Sequence, residues 1–486
     1  MEPTVDLSHT RTPLKNDREA IVKQITSMTS CDDLKVETID DALTYLYVNT
    51  IVDESRLFEE LAPKFEQLLK HHKHWRRILT RGTKKQFLEE ALTDLMQGSV
   101  IISHKKWDGF VIAIPLAEFK SRSVEQPVLE RVLFGPKDSF TEDLESNISL
   151  VRRNNKHVNL TVKYFTVGER SKNKVAVIYY NDIANPKFVE KIERRIKEIH
   201  IDRVIGQKDL MELIIGKNQT VFPLYELVEQ PARTTHFLNS GRVLLLIDGI
   251  PFGAMVPMVF LNLFVASEYF TQGNIIALFI RFIRAIAAFL ALYVPSFYVA
   301  LIGLNTTVLP TELGILIASD RASIPYPIFV EIIVLFFVLD IFLESTSYVP
   351  GNIGSALNIV GSLVIGQAAA QVNLVSDMSI IIIAVTAIGT YLTLYQLSYA
   401  LRLWKYPMVF AAAFLGFYGI VCISVIMFAH LCSLKSLGVP YMSPLAPLRL
   451  GDLFRDFLKH RDISEEIYRK KYFRPLDERR QAGDEN

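Results

Sequence analysis

The chain has 486 residues, half of them hydrophobic, with 53 Lys and Arg against 52 Asp and Glu. A net charge of +1 leaves no basic excess to neutralise phosphates, so nucleic acid is excluded as a partner on charge grounds. Three cysteines, at 31, 422 and 432, are too few and too scattered for a disulfide framework or a zinc site, and they read as ordinary thiols.

The opening segment MEPTVDLSHTRTPLKNDREA has no apolar core, so no signal peptide is expected and the N-terminal region is expected in the cytoplasm. Residues 1–125 read as a soluble, mostly helical subdomain. ESRLFEELAPKFEQLLKHHKHW is amphipathic, and KKQFLEEALTDLMQG places Phe87, Leu88, Leu92, Leu95 and Met96 on one helical face. His71, His72 and His74 have no matching ligand motif elsewhere and read as a solvated basic helix end. Residues 126–248 read as an α/β subdomain. A capping box, Ser139 to Glu142, predicts a helix start, and Pro186 opens a second helix with the stripe Phe188, Val189, Ile192, Ile196 and Ile199. TVKYFTV and KVAVIYY are strand-like stretches around the polar turn GERSKN, and GRVLLLID is a later strand. No GxGxxG, P-loop, HExxH or nucleophile-elbow motif occurs, so no catalytic residues, cofactor or metal are expected.

Charge is sparse from 250 to 448, with six Lys or Arg and seven Asp or Glu. Residues 249–435 therefore read as an all-α polytopic membrane domain of four to six passages. Segments 378–397 and 407–432 carry no charge and are long enough to span. A third segment, 275–304, contains Arg281, Arg284 and Pro295, and YPIFVEIIVLFFVLDIFL contains Glu331 and Asp340. PFGAMVPMVFLNLFVASEYF and the stretch 354–376 are the re-entrant candidates. Residues 436–486 read as a charged cytoplasmic tail. With both ends inside, the number of spans is even, which puts Arg402 and Lys405 on the outer side against the charge rule.

GSALNIVGSLVIGQAAAQVNLVS, from 354, is uncharged yet polar. As a helix it sets Ser355, Asn358 and Ser362 on one face and Val360, Val364, Gln367 and Gln371 on a second. Such faces avoid lipid, and two accounts fit: helix packing through amide hydrogen bonds, or a pore wall of neutral dipoles repeated around a ring of subunits. Glu268, Glu312, Glu331, Asp340 and Glu344 are costly in lipid unless paired or wetted, with Arg281 and Arg284 as candidate partners. Asp248, Pro251 and Pro257 lie where the soluble part meets the membrane part and are coupling candidates, together with those acids. Broken, polar-punctuated helices fit a channel or transporter better than an anchor. No internal repeat joins the halves of the membrane region, which counts against the remaining alternative, a small-solute permease.

GPKDSFTEDLESNISLVRR, FTVGERSKNKVAVIY, GRVLLLIDGIPFGAMVP, LPTELG, NIVGSLVIGQAAAQVNLVS and HLCSLKSLGVPYMSPLAP, in this order, resemble the GerA-type A subunits of spore germinant receptors. The resemblance covers about 130–450. It implies a multi-pass protein of the endospore inner membrane and a homo-oligomer, a pentamer, forming a channel for monovalent cations that nutrient opens. It also implies two partners, a transporter-like B subunit and a lipoprotein C subunit, in contact with membrane lipid. It places NIVGSLVIGQ at the pore. Two departures stand out: Leu343 occupies the place of an Arg in LDIFLES, and SDRA at 319–322 lacks the family's glycine. These leave open a SpoVAF-like channel that amplifies germination without sensing nutrient.

Overall fold

The computed structural model describes residues 12–15, 17–29, 31–117, 136–216, 220–265, 274–348, 370–457 and 470–476. The first subdomain, expected to be mostly helical, has a five-stranded sheet beside its helices. Strands β1 (Leu34–Ile39), β2 (Leu43–Val48), β3 (Thr83–Lys85), β4 (Ser99–His104) and β5 (Val111–Pro115) form an antiparallel sheet in the order β1-β2-β4-β5-β3. Helices α1 (Arg18–Met28) and α3 (Leu88–Met96) cover one face, and α2 (Ala62–Lys70) covers the other. Leu46 and Val48 pack toward α1 and α3, while Tyr45 and Tyr47 pack toward α2. Both faces are buried, so β2 and β4 are buried at every position and lack the alternation that marks a half-exposed strand.

A second sandwich follows. Helix α4 (Leu144–Asn154) starts after the expected capping box: its cap is Asp143, which accepts from the Ser146 N–H at 2.9 Å. Residues before it run extended, with the Phe140 N–H bonded to the Glu229 carbonyl at 2.8 Å. β6 (Leu160–Val167) and β7 (Asn173–Tyr180) pair as the sequence predicts, and α5 (Pro186–Lys197) buries Phe188, Val189, Ile192 and Ile196. With α6 (Gln207–Ile215), β8 (Glu226–Val228), α7 (Pro231–Asn239), β9 (Val243–Ile247) and β10 (Gly253–Val256), they build the sheet β6-β7-β9-β10-β8.

The boundary at 248 moves accordingly. β10 belongs to the second sheet, paired with β9 on one side and β8 on the other, so PFGAMVP is not a membrane passage. A buried central strand and the start of a span have the same apolar composition; the pairing partner decides between them.

The helical part consists of α8 (Asn274–Gly303), α9 (Thr311–Arg321), α10 (Ile328–Tyr348), α11 (Asp377–Leu392), α12 (Tyr395–Leu415) and α13 (Phe417–Ser433). Among the described residues, one helix, over Ile275–Gly303, is long and apolar enough to cross a membrane, and α11 and α13 are shorter apolar helices. The segment 407–432 is two helices, broken at Gly416, whose φ of +59° with ψ of −137° is a backbone that glycine adopts and side chains rarely do. Asn305 occupies the break, its Oδ1 accepting from the Phe417 N–H at 3.2 Å. Arg402 and Lys405 sit inside α12, which continues through Pro407, and not in an outer loop. Burial here is inverted relative to the two sheet units: Phe279, Phe282, Phe337, Phe410, Phe414 and Val425 are exposed. An outward apolar belt over a packed interior is what hydrocarbon as solvent selects.

Residues 436–442 do not form a free tail. β11 (Lys435–Ser436) and β12 (Val439–Pro440) make a small hairpin, Tyr441 and Met442 join the helical core, and the Phe260 N–H bonds the Tyr441 carbonyl at 2.8 Å. A last helix, α14 (Leu450–Phe457), follows.

Candidate functional site

Helix α10 carries three acids on an otherwise apolar rod, and the structure gathers two polar clusters around them. Glu331 lies in its first turn, with its carboxylate fully buried. Its Oε1 accepts from the Ser376 N–H at 2.6 Å and the Ser376 hydroxyl at 2.9 Å, and its Oε2 pairs with the Arg321 guanidinium. Ser376 also caps α11, and its hydroxyl reaches Ser379 Oγ at 2.8 Å and Tyr298 OH at 3.4 Å. One carboxylate thus joins α8, α9, α10 and the start of α11.

Nine residues on, about 13 Å along the helix, Asp340 faces α12. Its Oδ1 accepts from Lys405 Nζ at 2.9 Å and Arg402 Nε at 3.1 Å, and its Oδ2 accepts from the Tyr406 hydroxyl at 2.5 Å. Glu344, one turn further, is half-exposed and lies 3.7 Å from Arg402. Lys405 is 1% exposed, and its ammonium lies 4.4 Å from the centre of the Phe336 ring. Two acids and two bases cancel in charge, and the aromatic face shields the ammonium, which is how ionised groups persist between apolar helices.

A third cluster lies at the seam between the second sheet and the helices. Glu226 on β8 accepts from Arg233 at 2.5 Å and from Arg242 at 2.8 Å. Burial pulls the Arg242 guanidinium below its ordinary value, against the opposing effect of Glu226. Glu226 and Arg233 line a cavity of about 60 Å³ with Met258, Asn262 and the α11–α12 corner, Leu394, Tyr395 and Gln396.

The remaining sequence candidates fall as follows. Ser355, Asn358, Ser362, Val364, Gln367 and Glu268 lie outside the described residues. Gln371 is exposed where the chain resumes, and Glu312 is exposed in the first turn of α9. Asp248 is an exposed turn residue whose Oδ1 accepts from the Leu144 N–H at 3.3 Å. Pro251 is half-buried in the same turn, and Pro257 is buried after a cis peptide bond. The cations found on Glu331, Asp340 and Glu344 are Arg321, Arg402 and Lys405. The sequence sets Arg402 and Lys405 between two spans, on the outer side; the structure instead holds them with Tyr406 on α12, all three bonded to Asp340. Their i, i+3, i+4 spacing on a helix running through the proline was the available signal.

A family model described as the Bacillus/Clostridium GerA spore germination protein matches residues 19–472. The chain belongs to the GerA family. Spore germination protein KA of Bacillus subtilis is 32% identical over 83% of this chain and 76% of its own length. Spore germination protein A1 of the same organism is 28% identical over 82% of this chain and 84% of its own. An uncharacterized membrane protein of B. subtilis, YfkQ, is 31% identical over 76% and 73%. The crystal structure of the N-terminal domain of the A subunit of the Bacillus megaterium spore germinant receptor GerK3 aligns with a TM-score of 0.40 at 23% identity, covering 52% of this chain and 99% of that one. As a GerA-family spore germination protein, this chain is a membrane protein, and its two acid-centred clusters lie between apolar helices.

Proposed function

We propose that this GerA-family chain is the A subunit of a nutrient germinant receptor in the endospore inner membrane. In this reading it assembles as a pentamer into a channel for monovalent cations and works with a transporter-like B subunit and a lipoprotein C subunit. Ser355, Asn358, Ser362, Val364, Gln367 and Gln371 line the pore, and Asp248, Pro251, Pro257, Glu268, Glu312, Glu331, Asp340 and Glu344 belong to the gating and coupling path.

The observation that carries the reading is the pair of clusters on α10. Asp340 ties α10 to α12 shortly before residues 349–369, and Glu331 ties the same helix to Ser376 shortly after them. The Tyr326 hydroxyl bonds the Leu374 carbonyl close by. A segment that is uncharged and polar in sequence, lying between two ionic clusters in the chain, suits a pore element. A passive anchor has no use for buried charge.

Potassium release from spores lacking the gene, followed within minutes of adding a panel of nutrients, tests this. Loss of release for one nutrient class is expected. Slow release for every nutrient would reassign the chain to an amplifying channel, and unchanged release throughout would end the channel reading.

A further inference from the structure

The last described segment, residues 470–476, packs against the second sheet unit. Tyr472 and Phe473 are 2% and 1% exposed, packed with Phe188 of α5, Val259 after β10 and Val439 of β12. Two backbone contacts fix the segment: Asn185 Nδ2 donates to the Arg474 carbonyl, and the Leu476 N–H donates to the Ile183 carbonyl, both at 2.9 Å. The Phe473 ring lies 5.6 Å from the Arg242 guanidinium, whose other neighbour is the Phe237 ring at 4.3 Å. From there the contacts are continuous. Arg242 holds Glu226, Glu226 holds Arg233, and Arg233 Nη2 donates to the Val265 carbonyl at 3.0 Å. Val265 is the last described residue before α8.

We propose that residues 470–476 form an intramolecular clamp, an aromatic plug that seals the Glu226–Arg242 ion pair and thereby fixes the strand-to-helix junction from β10 to Val265. The docking surface takes one kind of occupant, a short peptide with two adjacent aromatic side chains flanked by basic residues, and this chain supplies it. Three elements meet the plug: α5 of the soluble sandwich, the segment leading to the helices and the hairpin leaving them. Removing it admits water to a fully buried guanidinium and raises the local dielectric, which weakens the pairs that reach Val265. Anything that captured the C-terminal segment would therefore act on the junction from β10 to Val265.

Amide hydrogen exchange of the purified membrane chain in lipid nanodiscs tests the clamp. In a chain ending at Arg469, exchange over 253–265 is expected to accelerate about tenfold or more. A peptide spanning 466–480 restores slow exchange, and the same peptide with Phe473→Ala does not. Phe473→Ala in the full-length chain keeps both backbone contacts and is expected to accelerate exchange in the same segment, which covers the case of a truncated chain that fails to fold. Unchanged exchange in the full-length variant, or equal restoration by the two peptides, overturns the proposal. Neither readout depends on ion conduction, so it stands or falls apart from the channel reading.

Discussion

At Lys405, an ammonium almost without water is held by one carboxylate and one aromatic face. Taking such a charge out of water is costly, and the contact with Asp340 offsets that cost only while both partners remain. Lys405→Met leaves Asp340 with Arg402 and Tyr406, and is expected to destabilise the helical part by about 3 kcal/mol. The loss reads as a lower thermal midpoint of the purified chain. In an Asp340→Asn background the same change should cost less, with a coupling of at least about 1 kcal/mol; additive costs would remove the pair from the list of contributors. The acids at this site were legible in the sequence, because an Asp and a Glu four apart in an apolar run are conspicuous. Their cations were not, because pairing between α10 and α12 joins residues more than sixty apart, and local spacing says nothing about it.

Among the elements, the break between α12 and α13 depends on a single residue. A Cβ on Gly416 would lie 2.3 Å from Asn305 Oδ1, and its backbone, at φ +59° and ψ −137°, is one that L side chains rarely adopt. Gly416→Ala is expected to cost about 2 kcal/mol or more and to free the Asn305 cap from the Phe417 N–H. Faster backbone exchange at 416–420 with little change in β6 to β10 would check it; equal exchange would show that the break tolerates a side chain. Element type was legible where one face is wet, as in α5 with its clean apolar stripe. It also held at β7 and β9, whose apolar β-prone runs stand beside polar turns, but not at β2, β4 and β10, which are buried on both faces and carry no periodic signal. The helix start expected at Ser139 failed for a related reason. Its capping pattern was present, but Phe140 was already committed to a long-range bond with Glu229, and Asp143 served as cap instead.

Over the whole molecule, the two sheets are joined by a bidentate pair. Arg152 of α4 donates to both oxygens of Asp33 at 2.7 and 2.6 Å, Thr50 adds a third bond at 2.8 Å, and both charged side chains are 1% exposed. Burial opposes the Arg152 charge, but Asp33 more than offsets it and holds the guanidinium above its ordinary value. Asp33→Ala leaves that charge uncompensated, at a cost of about 3–5 kcal/mol. The two sandwiches are then expected to unfold in two separate thermal steps; a single step with an unchanged midpoint would show that the seam is held by packing alone. The sequence by itself determined the division into a charged soluble half and an apolar helical half, the β6–β7 hairpin, the α5 stripe and the acidic positions of α10. The first is a matter of composition, and the others are local patterns of hydrophobicity or charge. Only the tertiary structure decided that β10 is a sheet strand, that Arg402 and Lys405 belong to Asp340, and that the C-terminal segment docks on Arg242. Those outcomes rest on which distant surfaces meet, and the energy of burying a group depends on its partner as much as on the group itself.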